Sequence, residues 1–206
     1  MRTETLDAFL DSLAGRVPAP GGGASAALHA AQGAALAGMV ARYSDGPKYA
    51  EHAGTIAKIR DGADDLREQA SVLAEQDIAV FSRVGAAYAL PRATDSDKAA
   101  RSAAIADALI AAGRVPAAVL AVAEQVLGLA EQLLPIGNRN VVSDVAASAD
   151  AARAAASTAR VNVEINLAGI TDAEARAELS GALARVDDLL ARADALTAAV
   201  REVIAR

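Results

Sequence analysis

Apolar residues recur every three or four positions along most of the chain, the period of one face of an α-helix. Thr3 to Ala14 carries Leu6, Phe9, Leu10 and Leu13 on such a face, with Gly15 as a stop. Arg16 to Gly23 follows as a loop with Pro18, Pro20 and three consecutive glycines. From Ala24 to about Tyr43 the chain is almost uncharged, rich in Ala and Gly, and apolar all round. That pattern predicts a buried helix whose small residues let neighbouring backbones approach closely. Ser44-Asp45-Gly46-Pro47 breaks it.

Lys48 to Leu90 reads as one long helix, or two in line. Its stripe is Ile56, Ile59, Ala63, Leu66, Ala70, Leu73, Asp77, Val80 and Val84, the alternation of helix-on-helix packing. Asp95 or Ser96 is placed to cap the next helix, which runs through Ala112, is interrupted or kinked at Gly113 and Pro116, and resumes to Leu134. Ile136 to Asn140 is a short polar loop, and Val141 to Ala168 is again small and alanine-rich. Thr171-Asp172-Ala173-Glu174 fits a capping box opening one last helix with Leu179, Leu183, Val186, Leu190, Ala193, Val200 and Ile204 on one face. No period repeats, so residues 1–206 are expected to form a single all-α domain, a bundle of long antiparallel helices. Long helices with small faces usually pack on a second copy, so a homodimer is expected.

Composition narrows the chemistry. Of 206 residues 53% are hydrophobic but only 2% aromatic, and alanine alone exceeds a quarter, which disfavours strands. A net charge of −6, scattered Lys and Arg, and few aromatics argue against nucleic acid and anionic membrane as partners. The absence of Cys removes disulfides, thiolate nucleophiles and cysteine-bound zinc. The two histidines, His29 and His52, have no metal-ligand spacing, and no phosphate-binding GxxxxGK[ST] loop exists. The opening Met1-Arg2-Thr3-Glu4-Thr5-Leu6-Asp7 lacks the pattern of a signal peptide, and charges interrupt the apolar stretches, so the expected location is the cytoplasm with no membrane span.

Four places put polar groups where an alanine-rich helix should be apolar. Pro18 to Ser25 opens the buried helix with Gly21, Gly22 and Gly23, a backbone able to approach a ligand or simply to turn into crowded packing. Asp77 lies on the apolar stripe, where burial costs several kcal/mol unless it is paired or reaches water, and an outward rotation of the stripe would solvate it. Gly137-Asn138-Arg139-Asn140 with Ser143-Asp144 reads locally as a helix stop, a turn and a new N-terminal cap. Asn162 and Asn166 share one face of a small apolar helix, where Asn is a poor residue. Asp144 and Asn162 also fall on one face, but about 27 Å apart, so a common site would need other helices or another subunit.

In order along the chain come Pro20-Gly21-Gly22-Gly23-Ala24-Ser25-Ala26, Pro47-Lys48-Tyr49, Asp77-Ile78-Ala79-Val80-Phe81, Leu90-Pro91-Arg92-Ala93-Thr94, Gly137 to Asp144, and Asn162 to Leu167. This order resembles the cyclodeaminase/cyclohydrolase family: the C-terminal domain of formiminotransferase-cyclodeaminase and the stand-alone methenyltetrahydrofolate cyclohydrolases. The resemblance implies an all-α homodimer acting on the formimidoyl or methenyl group of a tetrahydrofolate substrate, with no cofactor and no metal. It also implies roles. Asp144 would be the acid/base or cation-stabilising carboxylate, with Asp77 as a second carboxylate. Asn138, Asn140, Asn162 and Asn166 would orient the pterin or one-carbon unit, with Ser143 in the same binding set. Gly21, Gly22, Gly23, Ser25 and Lys48 would hold the carboxylate end. Ala24 and Pro47 depart from the family pattern, which often has Ser and a second Lys there. A catalytically decayed folate-binding or scaffolding dimer is the rival reading.

Overall fold

The computed structural model describes residues 3–206; Met1 and Arg2, part of the opening segment read above, lie outside the described residues. The described chain is all-α. Its helices are α1 Leu6–Ala14, α2 Gly22–Arg42, α3 Ala53–Ala89, α4 Asp95–Ile136, α5 Val142–Leu167, α6 Ala173–Leu183 and α7 Val186–Ile204. Two 3-10 segments, Pro47–His52 and Arg139–Val141, lead into α3 and α5.

The core forms around α2, whose alanines from Ala24 to Ala41, Ala35 excepted, lose nearly all solvent contact to α3, α4 and α5. Small residues are what permit this. A Cβ on Gly33 would stand 3.0 Å from both the Ser148 carbonyl oxygen of α5 and Val126 Cγ1 of α4. Ser148, itself fully buried, donates from Oγ to the Gly33 carbonyl at 2.8 Å, so the polar group brought into this contact is satisfied.

Consecutive long helices run antiparallel, as do α2 and α5, whereas α2 and α4 lie parallel, with Gly137 beside Val40 and Ser44. Gly23 lies against Asp77 and Gly38 against Ala63 across α2 and α3. Gly22 lies beside Asn162, and Gly33 beside Ser148, across α2 and α5. The α3–α4 pair closes where Arg101 donates to the Tyr88 carbonyl at 3.1 Å. The order of the elements therefore follows the sequence reading, and short connections make consecutive long helices antiparallel neighbours.

Several details differ from the sequence expectations. The helix foreseen from Ala24 starts at Gly22, with Gly21 as its cap, so two of the three glycines are helical. The cap of α4 is neither Asp95 nor Ser96. Thr94 accepts from the Asp97 amide at 3.1 Å while Asp97 accepts from the Thr94 amide at 2.9 Å, a reciprocal capping box. Neither Gly113 nor Pro116 ends α4, which continues to Ile136. The expected single last helix is two. Asp172, not Thr171, caps α6, accepting from Ala175 at 2.8 Å, and Ala184–Arg185 separate it from α7. Both linking residues keep helical backbone angles, so the apolar stripe carries over while α6 settles mainly on α4 and α7 on α5. On α1 only Phe9 is buried, and Leu6 and Leu10 stay exposed.

The expectation that charges interrupt every membrane-length stretch is corrected at two helices. Gly22–Arg42 and Asp95–Ile136 are long and apolar enough to cross a bilayer by length and composition, but 61% and 50% of those stretches are buried in the bundle. Their apolarity serves the core.

Candidate active site

Asp77 sits where the α3 stripe leaves the core. Ile56, Ile59, Ala63, Leu66, Ala70 and Leu73 below it are buried, whereas Val80 and Val84 above it are only half-buried. Both sequence alternatives therefore hold in part: the carboxylate is partly desolvated yet borders an open cavity of about 370 Å³. Burial raises the Asp77 pKa above the usual carboxylate value, and a hydrogen bond from the Ala24 main-chain amide opposes the rise. That amide belongs to the first turn of α2, whose positive dipole end also favours the ionised form.

Gly23 makes this contact possible. A Cβ at Gly23 would stand 2.5 Å from Asp77 Cγ and 2.7 Å from Oδ2, so no side chain fits between α2 and the carboxylate. Gly22 is less constrained: its Cβ would meet Asn162 Nδ2 at 3.6 Å and Thr158 Cγ2 at 3.9 Å, ordinary contacts. Gly21 has open space beside it.

α5 forms the opposite wall. Asn162 Nδ2 donates to the Thr158 carbonyl at 2.8 Å, and Asn166 Nδ2 to the Asn162 carbonyl at 2.7 Å. These bonds hold both amides against their own helix, and both residues line the cavity. The set Gly21, Gly22, Gly23, Asp77, Asn162 and Asn166 is thus assembled in one chain by α2, α3 and α5. Ser25 lies beside this set without lining it; its hydroxyl donates to the Gly21 carbonyl at 3.0 Å and ties the glycine turn to α2.

The remaining candidates occupy the other end of α5. Asn138 is committed to tying the α4–α5 turn to the end of α2. Its Oδ1 accepts from the Asn140 amide at 3.0 Å, its Nδ2 donates to the Tyr43 carbonyl at 2.8 Å, and its own amide donates to Ser44 Oγ at 2.8 Å. Ser44 is fully buried, and its Oγ donates to the Val40 carbonyl at 2.7 Å. Asn140 and Ser143 are exposed, and so is Lys48, whose ammonium lies 5.4 Å from the Tyr49 ring centroid. Asp144 is half-buried in the first turn of α5. It does not cap that helix, because the cap residue is Val141 and no side chain bonds there. Since α5 is continuous, Asp144 and Asn162 remain about 27 Å apart within one chain.

Two aromatic residues escaped the sequence reading. Phe81 and Tyr88 line the Asp77 cavity while remaining 51% and 52% exposed, next to Ile165. Their separation by two turns of α3, in a chain with only two Phe and three Tyr, is the signal that identifies them. Ser44 escaped because a serine in a turn reads as solvated until its burial is known. Among the described residues no group of three His, Cys, Asp or Glu side chains is placed to hold a metal ion.

Comparison with known proteins extends over nearly the whole chain. The formiminotransferase-cyclodeaminase family profile matches residues 5–185. A methenyltetrahydrofolate cyclohydrolase of Methylorubrum extorquens is 38% identical over 202 residues, covering 98% of this chain and 96% of that protein. A formimidoyltransferase-cyclodeaminase of Gallus gallus is 30% identical over 201 residues, but this chain spans only 37% of its length. The crystal structure of a formiminotetrahydrofolate cyclodeaminase from Thermotoga maritima superposes with a TM-score of 0.83 at 29% identity, covering 98% of this chain and 96% of that one.

Proposed function

Since the chain belongs to the formiminotransferase-cyclodeaminase / methenyltetrahydrofolate cyclohydrolase family, as a cyclodeaminase domain, we propose that it is a cytoplasmic enzyme that hydrolyses methenyltetrahydrofolate to formyltetrahydrofolate. A general role in folate one-carbon chemistry comes with the family. The choice of hydrolysis is supported by the end-to-end similarity to the bacterial cyclohydrolase. The observation that carries the site assignment is the half-buried Asp77 carboxylate, held against the α2 N-terminus and facing Asn162 and Asn166 across a cavity.

In this reading Asp77 takes a proton from water as the water oxygen bonds to the cationic methenyl carbon. One of the two C–N bonds of that carbon then breaks, and its electron pair and a proton go to the released nitrogen. The net products are the formyl compound and one proton. Asn162 and Asn166 orient the pterin or the one-carbon unit, and Phe81 and Tyr88 offer apolar faces to the aromatic parts of the folate. The glycine turn brings the N-terminus of α2 against Asp77 and so holds the base in place. No step calls for a metal or an organic cofactor.

Cyclodeamination is the second reading, favoured by the likeness to the Thermotoga maritima protein. There the neighbouring folate nitrogen attacks the formimidoyl carbon and ammonia leaves, so the substrate supplies the nucleophile and the same residues suffice.

Asp144, Asn138, Asn140, Ser143 and Lys48 enter this proposal through a homodimer that sets one subunit's Asp144 end beside its partner's Asp77 end. The exposed Phe81 and Ile165 at the cavity, with exposed Val161 next to Asn162 on α5, supply apolar surface for such a contact. The assay is spectrophotometric: purified protein should consume methenyltetrahydrofolate, whereas its appearance from formimidoyltetrahydrofolate favours the second reading. Inactivity with both overturns the proposal in favour of a folate-binding or scaffolding role. Mixing inactive Asp77→Asn and Asp144→Asn chains should restore up to about a quarter of wild-type turnover if subunits share sites, and none if they do not.

A further inference from the structure

Pro116 lies buried inside α4, and the helix runs through it. A proline has no amide hydrogen, so the carbonyl one turn earlier has no intrahelical donor; in α4 that carbonyl belongs to Ala112. Ala112 borders the Asp77 cavity, and Asn166 Nδ2 of α5 donates to its oxygen at 3.4 Å. The same nitrogen donates to the Asn162 carbonyl at 2.7 Å. Both amide hydrogens of Asn166 are therefore directed at main-chain oxygens, and Oδ1 is the group left for a ligand. Asn162 differs, since its Nδ2 makes a single bond, to Thr158, and keeps a second N–H as well as Oδ1. Gly113 lies at this contact: a Cβ there would stand 2.8 Å from Leu179 Cδ1, which would have to shift, whereas Asn166 Cβ at 3.6 Å is an ordinary contact.

We propose that Pro116 is a positioning residue for the site. By withholding the N–H that Ala112 would otherwise accept, it leaves a main-chain acceptor that fixes the Asn166 amide with Oδ1 free for the cavity. Asn166 is thereby preset as a hydrogen-bond acceptor and recognises an N–H group of the substrate. In naming a tetrahydrofolate N–H as that group, the inference rests on the folate reading above; the fixing of the amide does not.

The test gives α4 its missing hydrogen. Pro116→Ala supplies an N–H to Ala112, and Pro116→Val does so with the volume largely kept. In 15N–1H spectra of the substrate-free protein, the Asn166 side-chain pair is assigned by its loss in Asn166→Asp. Both Pro116 variants should shift that pair and speed exchange of one of its hydrogens. Tm should hold or rise in Pro116→Ala, because alanine suits a helix interior and proline does not. With folate substrate, kcat/KM should fall roughly 3- to 10-fold, the effect of releasing one hydrogen bond at the long end of the range. In an Asn166→Ala background the Pro116 substitution should cause no further loss. Unchanged Asn166 signals in both variants, or an equal loss in the Asn166→Ala background, would overturn the inference. Should the wild-type protein turn over neither folate, the functional reading falls, and the spectra alone decide whether Pro116 fixes the amide.

Discussion

Replacing Gly23 by alanine sets helix propensity against a single steric contact. Within a helix, Gly→Ala ordinarily stabilises by roughly 0.5–1 kcal/mol, because glycine loses more conformational entropy on folding. Gly22 should show that ordinary behaviour, since its added Cβ meets nothing nearer than 3.6 Å. At Gly23 the added carbon would stand 2.5 Å from Asp77 Cγ and 2.7 Å from Oδ2, well inside van der Waals contact. Either the carboxylate swings away from the Ala24 amide, or α2 shifts from α3. Adding a methyl group to a packed position costs about 1–3 kcal/mol, which offsets or exceeds the propensity gain and leaves Gly23→Ala less stable by up to about 2.5 kcal/mol. Turnover should fall with it, because the displaced carboxylate is the proposed base. Urea denaturation and the folate assay on Gly22→Ala and Gly23→Ala side by side give both quantities. Adding Asp77→Ala to Gly23→Ala removes the obstacle, so the pair should couple favourably by about 1 kcal/mol in a double-mutant cycle. If Gly23→Ala matches Gly22→Ala in stability and keeps full turnover, the close approach of α2 to Asp77 has no functional meaning.

Asp144→Asn should leave the urea midpoint nearly unchanged, since Asp144 is not the cap of α5, while turnover drops roughly 10²–10⁴-fold if its charge acts in the shared site; full turnover would remove it from the mechanism. Burial raises the Asp77 pKa, so the folded protein holds this proton more tightly than the unfolded chain does. Its contribution to stability is complete below the unfolded carboxylate range and is lost as pH rises through the raised value. Asp77→Asn should therefore gain on wild type as pH rises from the usual carboxylate range through the raised value, and a pH-independent difference in urea midpoints would contradict this. Dialysis against a chelator should leave turnover intact, because no metal-ligating cluster exists among the described residues, and loss restored by zinc would refute the assigned chemistry.

The helices were legible because their period is local. Spacing of Leu, Ile and Val, together with Gly and Pro punctuation, marks α2 to α5 within a few residues, and the Ala- and Gly-rich run from Ala24 correctly reads as the buried central helix. The same locality explains the misses. Nothing between Leu183 and Val186 breaks a helix by residue type, so the α6–α7 division is a matter of which helices they settle on. Thr94 and Asp97 cap α4 at the same offset that Thr171 and Glu174 offer, yet Asp172 won the second site.

For the site, sequence alone picked out polar residues on apolar faces, because an unexplained carboxylate or amide in an alanine-rich helix stands out without coordinates. It could not say which of them meet. Residues on one helix keep a fixed separation, about 27 Å between Asp144 and Asn162, whereas Gly23, Asp77 and Asn162 belong to three helices and meet only through antiparallel packing. Packing likewise brought Asn166 of α5 to the Ala112 carbonyl of α4 and left Phe81 and Tyr88 at the cavity rim. Periodicity reports the face a side chain occupies on its own helix; the group opposite that face depends on how separate helices pack, and no local pattern encodes it.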